Sequence, residues 1–311
     1  MATATVLAGS SRFPARSGRS RMIRLGLFAA AAAGLGIVSY VGLGRLAVES
    51  NAAAAAPVVV RPKGGSLLIA GGKTTDAIRA HFVELAGGPK ARVVVIPTAS
   101  NTPESPTVLA AWAPYGLASL TSLHARTRED AEKAGFADRL ADATGVWFSG
   151  GVQDRLAKRY LGTDVEAQLQ GVLKRGGVIG GTSAGAAVMT RVMISGGRGE
   201  AKLERGFDLL PNAVVDQHFL KRNRLGRMLG VMKQNPGLLG FGIDEQTALV
   251  IDVLGSRARV VGSSYVVACV PDHEAATTRV EFLKPGDEAD LSALRNRAPS
   301  AVAHTIDFDA F

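Results

Sequence analysis

Residues 177–187 read Gly-Val-Ile-Gly-Gly-Thr-Ser-Ala-Gly-Ala-Ala. A short apolar strand runs into a glycine turn with Ser183 at its apex, and a small-residue helix follows. Gly181-Thr182-Ser183-Ala184-Gly185 fits the G-x-S-x-G frame that presents a nucleophilic hydroxyl at a strand-to-helix turn. The competing reading makes Ser183 a helix cap. A serine hydroxyl becomes a useful nucleophile only beside a base, and histidine has the right pKa for that task. His218 follows Ala213-Val214-Val215-Asp216-Gln217, so it sits just past a strand end, at the rim where Ser183 is expected. The other histidines fall on a helix (His81), a strand edge (His124), a polar turn (His273) and the tail (His304). The base needs an orienting carboxylate. Asp244 and Glu245 both follow the apolar run Gly240-Phe241-Gly242-Ile243. In an extended chain they point to opposite faces, so one of them joins the site, and spacing does not choose between them.

Competing chemistries find little support. The chain has no H-E-x-x-H, no H-x-H and no cysteine pair, so no metal site is expected. Gly71-Gly72 and Gly150-Gly151 fit neither the dinucleotide fingerprint nor the P-loop, and no cofactor is expected. The remaining reading is acyl transfer by a serine, a histidine and a carboxylate.

The elements that must position these groups alternate along the chain. Ser66 to Ala70 is an apolar strand ending at Gly71-Gly72, with a functional loop expected there. Thr75 to Ala86 has helical spacing at Ile78, Phe82 and Leu85, and Arg92 to Ile96 is the next strand, stopped by Pro97. Helices are expected over Thr107–Leu117, Asp130–Leu140 and Val165–Leu173, with strands at Ser119–His124 and over the run from Gly145 that ends in Gly150-Gly151. Continuous apolar strands alternating with helices predict an α/β fold, a mainly parallel sheet covered on both faces in three layers. Its ligand site lies beyond the C-terminal ends of the strands. After Val192 the pattern changes. Residues 195–206 read as a loop or hairpin, and short strands from Leu249 to Leu283 read as a C-terminal antiparallel β extension.

The 311 residues carry a formal charge of +9, but residues 1–50 hold six arginines against one acid and so supply five of those nine charges. What remains on the body is weak support for nucleic-acid binding, and no nucleic-acid partner is expected. Cys269, the only cysteine, lies in an apolar run and reads as buried. Arg24 and Arg45 bracket an uncharged stretch, residues 25–44, followed by Asn51 and five alanines before Pro57. Basic region, apolar stretch and small residues, in that order, describe a signal peptide, while the length also suits a membrane span. The chain is therefore divided into residues 1–56, a signal peptide or membrane anchor with its linker, and residues 57–311, the catalytic body. The body is expected in a secreted or periplasmic setting or anchored to the membrane, with membrane contact through residues 25–44. Met22 is a second candidate start.

Four blocks then carry a resemblance. Val146-Trp147-Phe148-Ser149-Gly150-Gly151-Val152-Gln153, Gly180 to Ala186, Asp216-Gln217-His218-Phe219 with Arg222, Arg224 and Arg227, and Gly242-Ile243-Asp244-Glu245 resemble the cyanophycinases of serine peptidase family S51, in the same order. The resemblance spans roughly residues 64–270 and implies a flavodoxin-like sheet similar to the class I glutamine amidotransferase domain. It implies Ser183 as nucleophile, His218 as base and Glu245 rather than Asp244 as orienting acid. It places substrate contacts at Gln153, Asp216, Arg222, Arg224 and Arg227. In the acyl-transfer reading the backbone N–H groups of Gly151 and Ala184 meet the oxyanion. The implied activity is hydrolysis of cyanophycin, an arginine-decorated poly-aspartate, to β-aspartyl-arginine dipeptides, and the implied assembly is a homodimer. The alternatives are an aspartyl or isoaspartyl dipeptidase acting on short peptides, and a catalytically silent peptide-binding envelope protein. The chain departs from the family at Val152, where many cyanophycinases carry an acid or an amide.

Overall fold

The apolar runs of the sequence become strands of two sheets in the computed structural model, which describes residues 4–7, 64–254, 256–272, 277–296 and 304–305. The first part of the chain forms β1 (Ala4–Leu7), β2 (Ser66–Ala70), α1 (Asp76–Ala86), β3 (Arg92–Ile96), α2 (Thr107–Ala110) and β4 (Ser119–Ser122). It continues with α3 (Arg128–Ala131), β5 (Gly145–Phe148), α4 (Gln153–Tyr160), α5 (Asp164–Lys174), β6 (Val178–Thr182) and α6 (Ala184–Ala187). The second part forms β7 (Val192–Gly196), β8 (Lys202–Arg205), β9 (Ala213–Gln217), α7 (Leu225–Gln234), β10 (Leu239–Ile243) and β11 (Thr247–Asp252). It ends with β12 (Arg257–Gly262), β13 (Val266–Asp272), β14 (Thr277–Leu283), β15 (Glu288–Asp290), α8 (Leu291–Asn296) and β16 (His304–Thr305). These elements belong to one compact unit, Met1–Ala8 with Arg61–Phe311; the other unit, Gly9–Val60, lies outside the described residues.

The larger sheet has the strand order β15-β12-β11-β2-β6-β5-β3-β4. Its five strands from β2 to β4 are parallel, and β11, β12 and β15 join antiparallel at the β2 edge. The second sheet has the order β16-β1-β14-β13-β10-β9, with β9 and β10 parallel and β13 antiparallel to β10. Two expectations are corrected here. The main sheet is mixed rather than mainly parallel. Its five parallel strands, counted among themselves along the chain, lie in the order 1-5-4-2-3, which is not the flavodoxin-like 2-1-3-4-5. The supposed C-terminal extension is split. β11, β12 and β15 extend the first sheet, while β13 and β14 pair with β9 and β10 in the second. The cause is a connection of three residues. Chain leaving β10 reaches the rim at Asp244 to Gln246, and the next strand starts from that rim and runs back down beside β2.

Each sheet face is covered. β2 is buried throughout, as a strand packed on both faces must be. Leu67, Ile69, Val94, Ile96, Phe148 and Ile179 pack on one face against α4, α5 and the inner side of the second sheet. Leu68, Val93, Val95 and Trp147 pack on the other face against Ile78, Phe82 and Val83 of α1. There Phe82, Trp112 and Trp147 stack edge to face, with ring centroids 5.1–5.4 Å apart. α1 starts at Thr75, whose hydroxyl accepts from Ile78 N, and stops at Gly87 in the left-handed conformation. Cys269 lies buried in the outer face of the second sheet, and burial pushes its thiol up to about 12, so it is no nucleophile.

Two expected helices are shorter than the spacing predicts. Residues 107–117 form only α2 and a 3₁₀ turn, because Pro114 removes a backbone donor. Residues 130–140 form α3 and a 3₁₀ turn separated by Gly135. α4 was not anticipated. The expectation of a transmembrane segment is also corrected: among the described residues no helix is long and apolar enough to cross a membrane. Residues 25–44, on which that expectation fell, lie outside the described residues, as does most of the 1–56 segment.

Candidate active site

Ser183 stands at the C-terminal end of β6 with φ 53° and ψ −111°. A side-chain-bearing residue held there stores about 1–3 kcal/mol, which the surrounding packing must offset. The glycines around it explain why the chain can turn so sharply. A Cβ on Gly185 would stand 2.4 Å from the Phe148 carbonyl oxygen of β5, so α6 packs against that strand only without a side chain at this position.

His218 and Glu245 come from the neighbouring ends of β9 and β10 in the second sheet. Ser183 Oγ lies 2.9 Å from His218 Nε2, and His218 Nδ1 lies 2.9 Å from Glu245 Oε1. The hydroxyl, the imidazole and the carboxylate are thus hydrogen-bonded in series. Asp244 points elsewhere: its carboxylate accepts from Lys221 N at 3.0 Å and from the Ser264 hydroxyl at 2.8 Å, fastening two loops.

The end of β2 joins the three groups. Three successive carbonyls each hold one of them: Ala70 O accepts from Ser183 N at 3.0 Å, Gly71 O from His218 N at 2.7 Å, and Gly72 O from Gln246 N, beside Glu245, at 2.8 Å. Gly72 has φ 135°, and a Cβ there would lie 2.3 Å from His218 Cε1, so the imidazole rests directly on this glycine. The next residue, Lys73, places Nζ 2.8 Å from Glu245 Oε2. The sequence pointed to a functional loop after this strand but gave no reason to select Lys73, whose partner lies far along the chain.

Electrostatics favour a neutral imidazole beside an ionised carboxylate. Burial pushes the His218 imidazole below its ordinary value; the Glu245 hydrogen bond opposes this, and the Arg222 charge adds to it. The hydrogen bond from Lys73, followed by that from His218, holds the Glu245 carboxyl below its ordinary range. In the tautomer with a proton on Nδ1, that N–H donates to Glu245 and Nε2 accepts from the serine.

On one side of Ser183 opens a cavity of about 590 Å³. Arg198, Lys202, Gln217, Arg222, Arg224 and Arg227 line it, together with Gly151 and Gln153. The expected contact residues divide in two. Arg222 is exposed, and Arg224 is partly exposed with Nη1 held by Asp216 and by the Gln217 carbonyl. Asp216 is fully buried, and both its oxygens are taken by Arg227, at 2.9 and 2.5 Å. It therefore does not face a ligand; it holds Arg224 and Arg227 in place. Arg227 is itself buried and reaches the Gly197 carbonyl. The Gln153 side chain donates to Ile194 O at 2.7 Å and Ser195 O at 3.0 Å, tying the β7–β8 hairpin to α4. Ala184 N is the first donor of α6 and has no acceptor within its helix. Arg198 and Lys202, on the hairpin, are cavity cations that the sequence did not single out, because nothing in their spacing ties them to residue 183. No group of three or more potential metal-ligating side chains occurs among the described residues.

Known proteins share this arrangement of sequence. The sequence model of "Peptidase family S51" matches residues 66–260. A cyanophycinase of Synechococcus elongatus is 37% identical over 220 residues, covering 66% of this chain and 68% of its own length. A cyanophycinase of Geminocystis herdmanii is 33% identical over 210 residues, covering 61% of this chain and 77% of its own. Among solved structures, a peptidase from an acI-B1 Actinobacterium superposes with a TM-score of 0.56 at 24% identity, covering 74% of this chain and 98% of its own, a likeness of fold. With more than half of its length matched by the family model, the chain belongs to peptidase family S51.

Proposed function

We propose that this chain is a serine-type peptidase that hydrolyses cyanophycin to β-aspartyl-arginine dipeptides through an acyl-enzyme on Ser183. The observation that carries the reading is the hydrogen-bonded series Ser183–His218–Glu245, with 2.9 Å at each step. His218 Nε2 takes the hydroxyl proton as Ser183 Oγ attacks the amide carbonyl, and Glu245 stabilises the imidazolium that forms. The backbone N–H groups of Ala184 and Gly151 meet the oxyanion. Collapse of the tetrahedral intermediate expels the amine, which takes the proton from His218. Water then adds to the ester by the same path and frees Ser183. Arginine forks at Arg222 and Arg224 suit the free carboxylates of such a substrate.

The test is clearing of insoluble cyanophycin with release of dipeptide. Wild-type protein clears it, and Ser183→Ala lowers the rate by about 10⁶-fold while its melting temperature stays unchanged. Turnover of short isoaspartyl peptides without clearing would replace the polymer by a dipeptide substrate. Full activity of Ser183→Ala would overturn the mechanism. The basic, apolar and alanine-rich order of residues 1–56 supports export of the body, and the N-terminal residue of the mature protein, read from an expressing cell, checks it.

A further inference from the structure

Ser183 also borders a second cavity, of about 430 Å³, whose wall includes Lys73, Thr74, Arg79, Trp112, Ser149 and Thr182. His218 and Gly150 complete the edge nearest the serine. The nucleophile thus lies on a divide. Ser183 lines both cavities, with Gly151 in the wall of the arginine-rich one and Gly150 in the wall of the second.

Two observations say what the second cavity is built for. Among the described residues five buried side-chain polar atoms find no partner, and three belong to its wall: Thr74 Oγ1, Arg79 Nε and Thr182 Oγ1. Buried polar groups are nearly always paired, so these three give the wall a polar backing that its own hydrogen bonds do not use up. The second observation is charge. Arg79 has Nη1 on the Thr74 carbonyl and Nη2 on Asp76, a carboxylate 89% exposed whose hold on it is correspondingly weak. Arg79 and Lys73 are the cations of this wall, whose lining has no acidic side chain; Lys73 is held by Glu245, which leaves Arg79 as the cation available to a ligand.

An amide cleaved at Ser183 has two halves, and a cavity lies on each side of the serine. We propose that the second cavity receives the half of the substrate across the scissile amide from the arginine-rich cavity. Arg79 meets a carboxylate there, so the preferred substrate is a peptide with a free carboxylate on each flank of the cleaved bond. This rests on Ser183 being the nucleophile. It narrows the substrate class, because a peptide acidic on one flank only fills one of the two sites.

The test crosses two variants with three peptides. One short poly-aspartate peptide with arginine on its side chains, cut at the backbone amide, carries a free carboxylate on both flanks of the scissile amide, and in each of two analogues one of those groups is a carboxamide. Wild-type protein loses about tenfold in kcat/KM for each analogue, the worth of one charge-assisted hydrogen bond. Arg79→Gln abolishes the response to one analogue and Arg222→Gln the response to the other. Arg79→Lys, which keeps the charge, retains part of the response. Equal loss for all three peptides in Arg79→Gln, or loss of response to the same analogue in both variants, would overturn the proposal. The same crossing is read as affinity, by calorimetry, with each substitution placed in a Ser183→Ala background. There the pattern does not depend on hydrolysis, so failure of the serine mechanism and failure of this site give different results. Equal affinities for the three peptides, or none at all, count against the site.

Discussion

The two sheets contribute unlike things to the candidate site. The eight-stranded sheet supplies the hydroxyl, from a turn whose backbone is strained at φ 53°. The six-stranded sheet supplies the imidazole and the carboxylate from adjacent parallel strands, where β9 and β10 run in register from Ala213 paired with Leu239 to Gln217 paired with Ile243. Neither sheet holds the complete series. The end of β2, through Ala70, Gly71 and Gly72, fixes where the two meet. The difference teaches that the serine is placed by local backbone geometry, whereas the relation of serine to histidine is placed by a seam without a reacting atom in it. Damage to the reacting groups and damage to the seam therefore have different signatures.

The largest effect within the six-stranded half is expected from Glu245→Gln. An amide in that place can present its N–H to His218 Nδ1, which leaves the proton on Nε2 facing Ser183, the wrong tautomer for a base. A fall of about 10³- to 10⁴-fold in kcat is expected with KM little changed, since no substrate contact is removed. Steady-state kinetics on a soluble cyanophycin fragment check it; a loss smaller than about tenfold would remove Glu245 from the mechanism.

Gly72→Ala tests the seam itself. It removes no reacting atom, yet its Cβ would collide with the His218 ring, and φ 135° is unfavourable for any side chain. A displacement near 1 Å at a reacting group costs about 10²-fold, and that is the expected loss in kcat/KM. Reaction of Ser183 with a serine-directed phosphonylating probe should slow in parallel. Unchanged labelling and turnover would show that the ring does not depend on this contact.

Much of the site was legible in the sequence, for identifiable reasons. Ser183, His218 and the Asp244-Glu245 pair each follow an apolar run, and strand ends at one rim bring distant residues together; the choice of Glu245 over Asp244 came from the family resemblance. The G-x-S-x-G frame is local, so its strained turn could be read directly. The partition of strands between two sheets could not be read, because Ala213 to Val215 and Phe241 to Ile243 are apolar in either setting. Asp216 shows a related failure. The family resemblance marked it as a contact residue, but only the fold reveals that Arg224 and Arg227 enclose it and leave it no exposed surface. Lys73 was invisible because its meaning lies in a partner 172 positions further along the chain.

Lys73 gives a smaller prediction on the same seam. Its side chain is 61% exposed, so the pair with Glu245 contributes little to folding stability. Its effect should appear in the chemistry, by keeping Glu245 ionised and turned toward His218. Lys73→Met is expected to lower kcat by about threefold to tenfold without raising KM, and Lys73→Arg to restore most of it. Equal activity in all three proteins would make the ion pair incidental.

The smallest effect is a shift in pH dependence, and its sign follows from the surroundings of His218. Burial disfavours the imidazolium, so the neutral base persists to lower pH than an exposed histidine would allow. The acid limb of kcat/KM, which reports the free enzyme, should therefore have its midpoint below the ordinary histidine value of about 6.5. Glu245 and Arg222 pull on that midpoint from opposite sides: the carboxylate raises it and the guanidinium lowers it. Removing the cation in Arg222→Gln should move the limb upward by a fraction of a unit, while Arg222→Lys, which keeps the charge, should not move it. Lys73→Met should also move it upward, because it removes a second positive charge beside the imidazole and carboxylate. A limb unmoved by both charge removals would mean that the titrating group is not His218. The imidazole would then have to be followed directly, by the pH dependence of its own NMR resonances.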